Sequence, residues 1–162
     1  MAMNAPKPAP GPRYRALLQL LRTAETLWNA SRVFFAQWDL SPSQFNVLNV
    51  LHVQPDGCTQ SDLSRQLIMH RSNVTGLVDR LEKRGLLRRE DHAKDRRVYI
   101  VVLTSAGRKL TRTVLPQYHR AADQVWGRLP IKRAEQLVAE LEEVVRNAER
   151  IAKSLNTHAN FS

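Results

Sequence analysis

The sequence has 162 residues, 43% hydrophobic and 25% charged, with 25 Lys/Arg against 15 Asp/Glu for a net charge of +10. That length is about one domain with room for a real core, and this balance excludes a disordered chain. No apolar run approaches the ~20 residues of a membrane span, and the single cysteine, Cys58, excludes an intrachain disulfide and suits a reducing compartment.

Residues 1–12 (MAMNAPKPAPGP) read as a flexible Pro-rich arm without the apolar centre of a secretion signal, so a cytoplasmic protein is expected. From Arg13 to Trp38, Leu17, Leu21, Ala24, Leu27, Trp28 and Phe34/Phe35 recur at three- and four-residue steps, which predicts a long amphipathic helix. Ser41, Pro42 and Gln44 spell an S-x-x-Q capping box with proline at the first helical position, opening a helix to about Val53. Pro55-Asp56-Gly57 is turn chemistry, and Thr59 to Asp62 supplies a second cap for a short helix to about Gln66.

The segment His70 to Arg84 carries Val74, Leu77, Val78 and Leu81 at i, i+3, i+4 and i+7, with Gly85 as a left-handed stop. Its opposite face holds Ser72, Thr75, Gly76, Asp79 and Lys83, flanked by Arg71, Asn73 and Arg80; Asp79 is expected to pair within the helix with Lys83 or Thr75. Leu86 to Asp91 and Arg97 to Leu103 then switch to β-branched and apolar residues, predicting a two-stranded hairpin whose long charged tip is residues 92–96. Thr104 caps a helix that is expected to kink at Pro116 and continue, and a last helix from about Pro130 aligns Leu137, Val138, Leu141, Val144, Val145 and Ile151 on one face.

Helix, helix, helix and hairpin is the layout of a winged helix-turn-helix. The expected fold is therefore mainly α with a small β-hairpin wing, divided as residues 13–39 (N-terminal helix), 40–104 (winged module), 105–157 (C-terminal helices) and 158–162 (tail). The charge supports a polyanionic partner: residues 60–112 carry 13 Lys/Arg against 6 Asp/Glu, while residues 1–59 carry 5 against 3 and residues 113–162 carry 7 against 6. At the hairpin tip, Asp95, Arg96 and Arg97 provide arginines for a minor groove and an acid to orient them. The long apolar stripes of the terminal helices exceed what a small winged module can cover, which points to a homodimer, the alternative being a pairing of the two helices within one chain. No catalytic motif occurs, so the chain is not expected to be an enzyme. His52, His70, His92, His119 and His158 show no metal-ligand spacing.

The pieces LSPSQFNVLNVL, TQSDLSRQL, SNVTGLVDRLEKRGLL and REDHAKDRRVYIVVLTSAG, in this order and spacing over about residues 40–110, resemble the MarR family of bacterial transcriptional regulators. The resemblance implies a homodimeric, ligand-responsive repressor on a palindromic operator, with recognition-helix contacts at Arg71, Ser72, Asn73 and Thr75 and wing contacts at Asp95, Arg96 and Arg97; Gly76 on the same helix face and Arg80 beside it complete the candidate DNA-contact set. It also implies dimerisation through interlocked terminal helices. No cofactor is expected, but a small aromatic or phenolic effector is, with Trp28, Phe35, Trp38, Asn49 and His52 as candidate lining. His70 stands where the family usually places a Ser, Thr or Asp cap, and Gly76 where it often has a basic residue. The reading set against this one is an architectural nucleoid-type protein that binds DNA without strong sequence preference.

Overall fold

The structure, a computed structural model, describes residues 11–67, 69–92 and 95–159; of residues 92, 95–97 and 156–159 only the backbone is described. The chain forms two compact units, Met1–Pro116 and Gln117–Ser162.

The first unit opens with α1 (Pro12–Ala36), followed by α2 (Pro42–His52), β1 (Cys58–Thr59), α3 (Gln60–Leu67), α4 (Arg71–Lys83), β2 (Leu87–His92), β3 (Asp95–Leu103) and the start of α5 (Ser105–Trp126). Each start has a local cause. At α2 the capping box is complete: the Gln44 backbone N–H donates to Ser41 Oγ at 3.2 Å while Gln44 Oε1 accepts from the Ser41 N–H at 2.8 Å. At α3 the reciprocal pair is Thr59 and Asp62, the Asp62 N–H donating to Thr59 Oγ1 at 3.1 Å and Asp62 Oδ2 accepting from the Thr59 hydroxyl at 2.6 Å. At α5, Thr104 Oγ1 accepts from the Gly107 N–H at 3.0 Å and donates to the Gly85 carbonyl at 2.7 Å, so one side chain both starts α5 and ties it to the exit of α4. α4 stops where Gly85 turns to φ +68°, as its sequence position predicts.

The sheet departs from expectation in two respects. It has three strands in the order β1-β3-β2, all antiparallel, with Cys58 opposite Val101 and Thr59 opposite Ile100. A strand of two residues is too short to show a period, so β1 is invisible as a pattern. The hairpin is also longer than predicted: β2 reaches His92 and β3 starts at Asp95, with a register irregularity between Asp91 and His92 absorbing the mismatch. Charged residues at the end of a hairpin remain strand when the backbone ladder continues beneath them.

The core of this unit is Phe35, Phe45, Leu48, Leu51, Leu63, Val74, Val78, Leu81, Leu87, Val101 and Val114, all essentially without solvent exposure. Phe35 from the end of α1 stacks on Phe45 of α2 with ring centroids 4.4 Å apart, fixing α1 to the winged module. The rest of α1 is different: Tyr14, Leu17, Leu21 and Trp28, one stripe at three-, four- and seven-residue steps, are each 43–59% exposed.

The second unit contains the end of α5 and the helix α6 (Ile131–Ala159). α5 runs through Pro116 as one helix. On α6 the predicted stripe is present and wet, with Val138, Val144, Val145 and Ile151 exposed and Leu137 and Leu141 half-buried. Among the described residues no helix is long and apolar enough to cross a membrane.

Candidate nucleic-acid interface

The 3.6-residue period of α4 buries Val74, Leu77, Val78 and Leu81 and leaves Arg71, Ser72, Asn73 and Arg80 exposed, as predicted. Its first turn is open to a ligand. His70 is the cap after all: its Nδ1 accepts from the Ser72 N–H at 3.4 Å and lies 2.8 Å from Ser72 Oγ. An imidazole nitrogen thus does the work of the usual hydroxyl or carboxylate. The Asn73 and Val74 N–H groups donate to the His70 carbonyl at 3.0 and 3.3 Å, so it is the helix dipole and the exposed Arg71 that favour an anion at this end.

The other recognition-helix residues divide by role. Thr75 is half-buried, and its hydroxyl lies 2.9 Å from Gln60 Oε1 of α3 and 3.1 Å from the Arg71 carbonyl, so it fixes the α3–α4 packing as well as lining the face. At Gly76 an added Cβ would meet nothing closer than Arg80 Nη1 at 3.5 Å, an ordinary contact, so internal packing does not demand glycine there. Arg80 is exposed and, among the described residues, has no carboxylate partner. Ser72, Asn73, Gly76 and Arg80, with Ser43 from the first turn of α2, line one shallow cleft of about 330 Å³.

Asp79 does not pair within its helix. It binds Arg89 of β2, which also binds Glu82, and Glu82 Oε1 accepts from the Arg89 N–H at 3.0 Å. The two-residue strand period sets Arg89 on the same face as the buried Leu87, against α4, where a lone cation would be costly. Burial draws its guanidinium down, but the Asp79 and Glu82 carboxylates outweigh that and hold it above its ordinary value. The Asp79–Arg89–Glu82 cluster therefore fastens α4 to β2.

A second fastening lies at the C-terminal end of α4. Arg84 donates from Nη2 to the Trp38 carbonyl at 3.1 Å and from Nη1 to the Asp39 carbonyl, with Asp39 Oδ2 at 3.5 Å. Asp39 itself has φ +53°, uncommon outside glycine.

Asp95, Arg96 and Arg97 belong to β3, but their side chains lie outside the described residues, as do residues 93 and 94. Among the described residues, none of the clefts lined by α1, α2 or α4 gathers the five candidate effector residues. Phe35 is core, Trp38 is half-buried 5.3 Å from the ring of Phe34, Asn49 and His52 are half-buried on α2, and Trp28 is 43% exposed on the stripe of α1. A cleft of about 580 Å³ instead lies between Arg32 and Ala36 of α1, the α1–α2 turn, and Arg80, Lys83 and Arg84 at the end of α4. Among the described residues no group of three His, Cys, Asp or Glu is placed to hold a metal ion.

Cys58 in β1 is buried, and burial together with the nearby Asp62 carboxylate pushes its thiol up to about 11. The thiolate fraction at pH 7 is then on the order of 1 in 10⁴, unsuited to a reactive cysteine. Labelling of the folded protein with iodoacetamide at pH 7.5 is expected to be at least ~30-fold slower than in 6 M urea, read by intact mass.

A helix exposed on one face and packed against a three-stranded sheet, with α3 packed against it, defines a winged helix-turn-helix protein with a basic exposed face. The family model that matches the chain is that of the MarR family, over residues 38–98. The transcriptional regulator HosA of Escherichia coli O157:H7 is 30% identical over 62% of this chain and 73% of its own. The transcriptional repressor MprA of Escherichia coli K12 is 34% identical over 70% of this chain and 65% of its own. Among solved structures, CouR of Rhodococcus jostii RHA1 bound to p-coumaroyl-CoA superposes with a TM-score of 0.72 and 25% identity, over 78% of this chain and 88% of that one. The chain belongs to the MarR family.

Proposed function

We propose that this protein is a ligand-responsive transcriptional repressor of the cytoplasm that binds a palindromic operator in double-stranded DNA as a homodimer. The observation that carries the DNA reading is the exposed first turn of α4: Arg71, Ser72 and Asn73 are exposed at a helix N-terminus, next to Gly76 and to Arg80, which has no acidic partner among the described residues. Arginine and asparagine are the side chains that read guanine and adenine edges bidentately, and the N-terminal residues of a recognition helix are those that reach them. Thr75 adds a methyl and a backbone-braced hydroxyl to the same face. In this reading Asp95 orients Arg97, with Arg96 beside it, for the minor groove.

The exposed stripes of α1 and of α6 support self-association, since apolar side chains this numerous on two long helices are stabilised only by a partner surface. Residues 13–39 and 105–157 are then the dimerisation helices. A two-fold axis presents two recognition helices about one turn of duplex apart, hence an inverted repeat with half-site centres ~10 base pairs apart. Repression is supported by the likeness to MprA, and response to a small molecule by the likeness to CouR, whose structure holds an aromatic acyl thioester. A small aromatic or phenolic effector remains the expected class, and no resident cofactor is required.

Fluorescence anisotropy on the duplex upstream of the protein's own gene, against a shuffled duplex of equal length at two salt concentrations, tests the reading. The native duplex is expected to bind roughly a thousandfold more tightly, with both affinities falling as salt rises. Arg71→Ala is expected to erase most of that preference. Equal affinity for both duplexes favours the architectural reading.

A further inference from the structure

We propose that the cleft between α1 and the end of α4 is a phosphate-binding site. Its wall carries four cations, Arg32, Arg80, Lys83 and Arg84, against one carboxylate, Asp39. That carboxylate is spent on Arg84 and is itself 93% exposed, while among the described residues Arg32, Arg80 and Lys83 have no acidic partner. Three unneutralised cations facing one concavity repel each other unless an anion lies between them. A monocarboxylate would offset one of the three; a phosphate offers up to two charges and several acceptor oxygens, and the planar guanidinium fork matches its geometry. Both sides of the cleft are fixed, α1 by the Phe35–Phe45 stack and α4 by the Arg84 latch, so the cations are held together without the ligand.

Two sources carry this chemistry. One is the sugar–phosphate backbone of DNA, because Arg80 is shared between this cleft and the face that includes Asn73 and Gly76. The other is a free phosphate monoester. The first source rests on the DNA-binding reading and the second does not.

The test uses the full chain and the double variant Arg32→Ala/Lys83→Ala, both side chains exposed, with Arg15→Ala/Arg22→Ala as an equal loss of charge from α1 outside the cleft. In the first arm, duplex affinity is measured against salt. If a DNA phosphate occupies the cleft, the double variant loses the same factor, about tenfold or more, on native and shuffled duplexes, and the salt slope falls by about 0.9 per lost contact, while the control keeps its slope. In the second arm, without DNA, phenyl phosphate is titrated at constant ionic strength and the melting temperature followed. A free monoester as ligand raises the melting temperature of the parent chain by several degrees and leaves the double variant unmoved. An unchanged slope, or a slope lost equally in variant and control, together with no phenyl phosphate shift overturns the proposal. If the parent chain binds neither duplex, the DNA reading fails and the second arm alone decides the cleft.

Discussion

Gly107→Ala is expected to cost on the order of 3 kcal/mol of stability or more and to lower the melting temperature by roughly 10 °C. The cause is a close approach that no rotamer can relieve. A Cβ at this position would sit 1.9 Å from the Leu86 carbonyl oxygen, 2.9 Å from its carbon and 3.3 Å from Leu103 Cδ2, and the first two are backbone. Nor can that carbonyl withdraw freely, since it accepts from the Thr104 N–H at 3.1 Å at the root of the wing. Forcing it aside breaks that bond and loosens the junction of α4, β2 and α5 together. Urea denaturation followed by circular dichroism checks the outcome: a lower midpoint at unchanged m is expected. A midpoint within 0.2 M of the parent would mean that the Leu86–Gly107 contact is not as close as described.

Arg89→Ala is expected to destabilise the fold by about 1–2 kcal/mol and, with it, to weaken sequence preference more than general affinity for DNA. The destabilisation is set below the 3–5 kcal/mol typical of a fully buried pair because Asp79 and Glu82 keep 48% and 34% of their side-chain exposure. Without the guanidinium, two carboxylates one turn apart face the wing strand with no cation between them. Arg89→Lys is expected to recover only part of the loss, because a single ammonium cannot span both acids while Glu82 also accepts from the backbone N–H of residue 89. A double-mutant cycle with Asp79→Ala measures the coupling directly, with ~1 kcal/mol expected; a coupling near zero would mean that the pair is solvated and does not brace the helix.

What the sequence made legible follows the range of each signal. The caps at Ser41 and Thr59 and the stop at Gly85 are local chemistry, written within four residues, and each is present in the fold. The stripe of α4 is a period over four apolar positions, and its buried set is the predicted one. Reading failed where one residue's partner lies on another element. Asp79 has a cation at i+4, Lys83, so its pairing looked settled, yet the sheet delivers Arg89 to it from ten positions away. The signal that could have found it was the strand alternation itself, which assigns an arginine to the same face as Leu87. Likewise Arg84 looks like one more surface cation beside Gly85, because its acceptors are carbonyls of Trp38 and Asp39, and carbonyls carry no sequence mark. Arg32 lies inside the N-terminal helix, residues 13–39, with nothing near it in sequence to mark a partner element. Its position beside the end of α4 depends on how tightly α1 turns into α2, which Asp39 sets with a backbone conformation that a sequence pattern does not reveal.

Arg84 fastens α4 just past its last residue and Arg89 fastens its C-terminal half at Asp79 and Glu82, so the Arg71–Asn73 turn is the end of the helix farthest from both. Thirteen residues of helix measure about 20 Å, so a tilt of ~5° about the Trp38–Asp39 pivot carries the Arg71–Asn73 end sideways by roughly 2 Å. Hydrogen bonds to base edges do not survive a misplacement of that size. Under the proposed DNA-binding reading, a disturbance confined to the turn after α1 is thus enlarged at the Arg71–Asn73 end.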